Sequence, residues 1–249
     1  MEWLPLLFFL VAFAYSLVGF GGGSSYIALL ILFSYSYELA PSLALICNII
    51  VVSGGAWHFF RTKQLSVGAL APFVMLSIPM AYVGGRIPIN EYYFQLILAS
   101  LLFMAAIKML FFQETKEYFD PKKEKPFVMA SCLGGMIGFL SGLVGIGGGI
   151  FLAPILYLLR WDRPRQIAAI SCGFILVNSI AGLVGQVQKM QSIDFLFNSW
   201  SLFLAVLLGG QLGSLLTTQK LPQLWLKRLT SLLILAVSVR LMISSINLA

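Results

Sequence analysis

Charge is what this chain has least of. Only 10% of its 249 residues are charged, against 59% hydrophobic. A soluble domain carries about a quarter charged residues, so the composition points to a polytopic membrane protein that is membrane domain almost throughout. The acidic residues are nine: Glu2, Glu38, Glu91, Glu114, Glu117, Asp120, Glu124, Asp162 and Asp194. All fall in predicted loops or at helix ends. No carboxylate is placed to relay protons at mid-membrane or to neutralise a cation there. His58 is the one histidine, and no His/Asp/Glu cluster is placed for metalloenzyme chemistry. We therefore expect no catalytic residues, no metal and no cofactor. The three cysteines, Cys47, Cys132 and Cys172, lie in apolar segments. Their odd number argues against a disulfide framework, and they are expected to pack as small apolar residues. The start, "MEWLPLLFFLVAF", lacks a basic n-region and carries Glu2, so no cleaved signal peptide is expected. The net charge of +7 has no soluble domain to sit on, so nucleic acid is not an expected partner.

What is present is apolar runs long enough to span a bilayer, at about 3–20, 39–60, 66–84, 92–112, 127–145, 166–187, 195–217 and 225–246. Two shorter runs, 24–34 and 150–159, each follow a cluster of three glycines. At about 1.5 Å per residue they reach only halfway across. The heptads "LVGFGGG" at 17–23 and "LVGIGGG" at 143–149 agree at six of seven positions. Around them each half repeats one order: a long run, a glycine cluster, a half-length run, then three long runs. The expected fold is therefore all-α, with two inverted repeats, each a glycine-broken helical hairpin plus three transmembrane helices. It forms a single membrane domain over 1–249: repeat one 1–112, a cytoplasmic linker 113–126 and repeat two 127–249. Small residues at fourfold spacing, Ala81 and Gly85, Gly209 and Gly213, and Gly134, Gly138 and Gly142, are expected to be helix-packing surfaces.

Basic residues set the orientation. With each glycine cluster turning a hairpin and the linker in the cytoplasm, the inside loops hold twelve: Arg61, Lys63, Lys116, Lys122, Lys123, Lys125, Arg160, Arg163, Arg165, Lys220, Lys227 and Arg228. The outside loops hold two, Arg86 and Lys189. That asymmetry obeys the positive-inside rule and puts both termini outside. If the short runs instead completed the crossings before them, Arg160, Arg163 and Arg165 would move outside. Lys108 and Arg240, about a turn from their helix ends, are expected to snorkel.

Irregular backbone at membrane depth survives only if it is shielded by protein or lines a wet cavity. Each glycine cluster also precedes a short helix, whose N-terminus offers free N–H groups and about half a positive charge. Glycines let an anion approach that backbone. Neither cluster is a phosphate loop, because no Gly-Lys-Ser/Thr follows. The expected anion site is Gly21, Gly22, Gly23, Ser24 and Ser25 from the first break, with Gly147, Gly148, Gly149, Ile150 and Phe151 from the second. Asn48, Ser53, Asn178 and Ser179 are expected to complete its hydrogen bonds, since buried amides and hydroxyls need partners. The plainer alternative is that the glycines permit close packing and the serines tie helices together. His58 is either an interfacial residue or a candidate for proton coupling.

The motifs "LVGFGGG" and "GLVGIGGGIFLAPIL", "SLALICNIIVVSGGAWHFFRTKQL", "ISCGFILVNSIAGLVG" and "LPQLWLKRLTSLLILAVSVRLM" together resemble the sulfite exporter TauE/SafE family of membrane permeases. The resemblance runs over almost the whole chain. It implies transport of a small sulfur-containing anion, such as sulfite or an organosulfonate, with export typical and uptake also represented. It implies a place in the cytoplasmic (inner) membrane, with the lipid bilayer as the other partner. Nothing in the sequence sets the oligomeric state. Pro154 follows the second glycine motif as the resemblance implies, whereas Ala28 stands at the matching place in the first. Three other readings remain open from the residues alone: an anion channel without alternating access, a coupled uptake permease, and a non-transporting membrane subunit.

Overall fold

The computed structural model describes residues 3–17, 20–111, 126–188, 199–216, 235, 238–239 and 241–243. The described residues are helical, with no strand among them. The helices are α1 (Leu4–Ser16), α2 (Gly23–Leu32), α3 (Ala40–Arg61), α4 (Val67–Arg86), α5 (Glu91–Phe111), α6 (Phe127–Val144), α7 (Gly149–Leu158), α8 (Pro164–Val187) and α9 (Trp200–Leu216). Four of these, α3, α4, α6 and α8, are long and apolar enough to cross a membrane by length and composition. The first apolar run stops early: α1 has 13 residues, about 20 Å. The run at 225–246 falls almost wholly outside the described residues. So do the linker 113–125, the loop carrying Lys189 and Asp194, and the basic positions Lys220, Lys227, Arg228 and Arg240. The backbone at Lys108 is helical in α5; its side chain lies outside the described set.

Local chemistry sets the helix starts. Proline occupies the first turn of α1, α3 and α8, where its missing N–H has no intrahelical partner to lose. Ser66 caps α4, its hydroxyl accepting from the Ala69 N–H at 3.1 Å. Pro72 and Pro79 lie inside α4. The carbonyl of Pro72 receives the Ser131 hydroxyl of α6 at 2.8 Å, which ties the two helices at that point.

The two short helices are the same device made twice. Gly23–Leu32 and Gly149–Leu158 each have ten residues. The second is the first moved along by 126 positions. Before them, Gly22 and Gly148 both take left-handed backbone, at φ +86° and +79°. After them, Ser34 and Arg160 are again left-handed, at φ 62° and 51°. The Tyr35 N–H returns to Leu30 O, and the Trp161 N–H to Leu156 O, both at 2.9 Å. A left-handed non-glycine residue is uncommon, so its recurrence at matched positions marks a shared backbone path.

Helix packing follows the same exchange. α4 lies along α6 and α9 along α1; α3 meets α8; α2 packs on α3 and α7 on α8. Glycine makes the close approaches. A β-carbon on Gly134, Gly138 or Gly142 of α6 would strike the backbone of Phe73, Ser77 or Ala81 of α4. Gly209 and Gly213 of α9 meet the carbonyls of Phe9 and Phe13 of α1 in the same way. These small-residue stripes are the packing surfaces the spacing predicts. Cys47 and Cys172 are buried in the interior, while Cys132 is exposed on α6.

Candidate functional site

Both glycine breaks end against one side chain. Asn48, in the middle of α3, is fully buried. Its Nδ2 donates to the Ile146 carbonyl at 3.0 Å, across 98 positions of chain. A β-carbon on Gly21 would lie 2.5 Å from Asn48 Oδ1, and one on Gly147 2.5 Å from Asn48 Nδ2 and 2.9 Å from Ser179 Oγ. On Gly23 it would run into Asn48 Nδ2 and the Ile146 carbonyl. Only glycine leaves room for the two breaks, the amide and the hydroxyl to meet.

The first turns then point free donors inward. In α2 the carbonyl of Gly22 accepts from Ser25 and Tyr26; in α7 that of Gly148 accepts from Phe151 and Leu152. The N–H groups of Gly23 and Ser24, and of Gly149 and Ile150, precede those bonds and have no carbonyl a turn behind them. Gly147 and Gly148 are both left-handed, at φ +83° and +79°. The change of hand from Gly148 to helical Gly149, repeated from Gly22 to Gly23, is the alternation in which successive N–H groups make a concave anion nest.

Four polar atoms around the breaks lack a partner among the described residues: Asn48 Oδ1, Ser179 Oγ, Ser141 Oγ and, 3.3 Å from where a Gly22 β-carbon would stand, Tyr26 Oη. All four side chains are buried to within 1% of full. Ser141, one turn before the end of its apolar run, has its β-carbon 3.4 Å from where a Gly148 β-carbon would stand. Buried polar atoms are ordinarily paired, so four open ones around two helix N-termini make this the candidate site. The surroundings are otherwise apolar: Val52, Ile175, Phe174 and Ile137 line the glycines. Among the described residues no group of three metal-ligating side chains is present.

The other sequence candidates are placed differently. Ser25 is buried and shares a 3.0 Å hydrogen bond with the Tyr15 hydroxyl, and Ser24 is buried beside it. Ile150 and Phe151 are half-buried in the first turn of α7. Asn178 has both ends of its amide engaged: Nδ2 donates to Phe174 O at 3.0 Å, and Oδ1 accepts from Ser77 of α4. It ties α8 to α4. Ser53 is exposed, its hydroxyl turned back onto Ile50 O at 2.9 Å. Five residues from Asn48, it lies about 140° around α3. His58 is exposed near the end of α3, about 15 Å along the axis from Asn48. An open apolar groove of about 380 Å³, lined by Ile50, Trp200, Phe203, Leu204 and Leu207, offers no polar group to an anion.

Sequence reasoning passed over two residues. Ser141 was legible as the hydroxyl nearest the second break in the run that enters it. Gln186, buried in α8, donates to the Gly142 carbonyl at 2.9 Å and approaches that of Leu143 at 3.4 Å, satisfying the last turn of α6 before it breaks. Its signal was an amide inside an apolar span.

Proteins named as probable membrane transporters are similar to this chain in sequence. A probable membrane transporter protein of Sinorhizobium fredii is 31% identical over 241 residues, covering 96% of this chain and 97% of its own. A probable membrane transporter protein of Methanocaldococcus jannaschii is 30% identical, over 73% of this chain and 71% of its own. No solved structure matches. The family described as sulfite exporter TauE/SafE matches residues 4–241; the chain belongs to that family and is a multi-pass membrane transporter.

Proposed function

We propose that this transporter exports a small sulfur oxyanion, sulfite or an organosulfonate, through the cytoplasmic membrane by alternating access. The observation that carries the reading is the convergence of two glycine-capped helix N-termini on Asn48 and Ser179, with no charged side chain among the residues lining the glycines. Each terminus presents about half a positive charge and free N–H groups. Backbone donors at 21–25 and 147–151 bind the oxyanion, and Asn48, Ser179 and Ser141 complete its shell. Asn178 and Ser53 act outside that shell, the first by holding α8 on α4.

The two halves stand inverted in the membrane, with both termini outside. The twelve-to-two distribution of basic residues supports this, as does the reciprocal helix packing. Transport then rocks one half against the other around the glycine breaks, as in other inverted-repeat carriers. A cell interior negative by 100 mV drives a monovalent anion outward with about 2.3 kcal/mol, so export runs without a coupled ion.

The test is flux of a panel of anions, sulfite, organosulfonates, sulfate and chloride, in proteoliposomes at a set membrane potential. Saturable sulfite or sulfonate flux with counterflow is expected. Flux without saturation or counterflow makes the protein a channel. Absence of flux for every sulfur anion overturns the substrate class.

A further inference from the structure

The same site, if it is the transport site, has a polarity that a bare anion does not satisfy. The orientation of the Asn48 amide follows from its one bond: the Ile146 carbonyl accepts, so the NH2 end must face it. The oxygen end is thereby turned toward the first break, where Oδ1 lies 2.5 Å from the β-carbon position of Gly21 and has no partner among the described residues. An unpaired carbonyl-type oxygen repels an unprotonated oxyanion oxygen and accepts from an O–H. The remaining groups are donors or either-way hydroxyls: the free N–H groups of the two first turns, Ser179, Ser141 and Tyr26. The shell thus offers several donors and one fixed acceptor. Its electrostatic strength is about one positive charge in all, half from each helix N-terminus.

We infer that the site takes the singly charged, still protonated form of its oxyanion, hydrogensulfite rather than the sulfite dianion, with Asn48 Oδ1 accepting the substrate's proton-bearing oxygen. Charge and hydrogen-bond pattern agree on this. A dianion brings a second charge with no cationic side chain among the described residues lining the glycines to meet it, and sets a bare oxygen against Oδ1. An alkanesulfonate matches the charge but leaves Oδ1 unpaired, so it binds more weakly than hydrogensulfite. Asn48 is on this reading a specificity residue, separating anions by whether they carry a hydrogen. The inference rests on the transport reading above, and its test separates the two.

Full-length protein in proteoliposomes is assayed at clamped voltage, with equal pH on both sides and fixed total sulfite. The series runs from about pH 6 to about pH 8, below the ordinary range of phenols and thiols. The titratable groups on the helices packed around Asn48 are Tyr15 of α1, Tyr26 of α2, Cys47 of α3 and Cys172 of α8, with His58 exposed near the end of α3. The charged groups on these helices are Arg61 and Arg165, at their ends. Methanesulfonate, a monoanion with no proton to lose, is the comparison probe. Sulfite flux is expected to fall with the hydrogensulfite fraction, approaching tenfold per pH unit at the alkaline end, while methanesulfonate flux stays flat. Asn48→Ser, whose hydroxyl donates as readily as it accepts, is expected to raise methanesulfonate affinity several-fold relative to sulfite. His58→Gln is expected to leave both profiles unchanged. Sulfite flux flat with pH while methanesulfonate is carried overturns the proton requirement and leaves the transport reading standing. Parallel decline of both probes also overturns it, since a protein group is then titrating. Neither probe carried at any pH overturns the transport reading itself. The wild-type profile decides the matter even should Asn48→Ser fail to assemble.

Discussion

Gly21→Ala separates a binding site from a packing contact. Gly21 has no positive φ, so alanine meets no backbone strain there; its β-carbon would stand 2.5 Å from Asn48 Oδ1 and 3.1 Å from both Asn48 Cγ and Val52 Cγ1. The methyl must push the Asn48 amide aside. Moving it breaks the 3.0 Å bond to Ile146 O and leaves a buried carbonyl unpaired, a cost of about 1–3 kcal/mol. Binding suffers more, because the displaced amide and the methyl occupy the space between the breaks. The assay is thermal unfolding in detergent with and without sulfite. Ligand at 100 times its Kd stabilises by about 2.7 kcal/mol, and this increment should vanish in Gly21→Ala while the ligand-free protein still unfolds cooperatively. Gly68→Ala is the control: its β-carbon meets nothing within 4 Å, and alanine is favoured over glycine in a helix by about 1 kcal/mol. Gly142→Ala is the opposite control, for it drives a methyl into the Ala81 backbone and should misassemble. Full sulfite stabilisation retained in folded Gly21→Ala would refute the placement of the anion at the breaks.

Other outcomes are open to measurement. A cysteine at Lys123 should be labelled only from the cytoplasmic side and one at Ser192 only from outside; labelling of both from one side would contradict the inverted arrangement. Sulfite export at fixed voltage should be electrogenic and should survive collapse of the pH gradient. Flux that follows the gradient and ignores voltage would refute uncoupled export and turn attention to His58. Asn178→Leu should cost about 1–3 kcal/mol by leaving the Ser77 hydroxyl buried and unpaired, with sulfite affinity in the folded fraction unchanged. Gln186→Leu should cost a similar amount by freeing the Gly142 carbonyl, read as a lowered Tm.

The breaks were legible because glycine triplets inside apolar runs admit few explanations, and because they occur twice. The same periodicity located the small-residue stripes, since fourfold spacing on a helix is a geometric statement that needs no partner to be read. What failed to separate was the role of equivalent-looking polar residues. Asn48 and Asn178 are both amides deep in apolar helices, yet one faces two glycine breaks and the other is closed by Ser77 and Phe174. That difference depends on which helix lies against each face, a long-range fact absent from local spacing. Ser53 and Ser179 stand 126 positions apart, the offset of the short helices themselves, yet one is exposed and the other fully buried. The repeat is closer in backbone than in side-chain environment.

The reciprocal packing also bears on how the chain is made. Synthesis delivers α1 first, but its principal neighbour is α9, which begins at Trp200. α4 likewise waits for α6. The Phe9 and Phe13 carbonyls of α1 therefore wait for their glycine-faced partner until α9 has been made. Early helices must be held inserted but unpaired while the ribosome works through the second half. A chain stopped after α5 presents two faces, on α1 and α4, without the glycine stripes of α9 and α6 that cover them. α9 closes on a helix made long before it, so damage in α9 should destabilise α1 as much as its own neighbourhood.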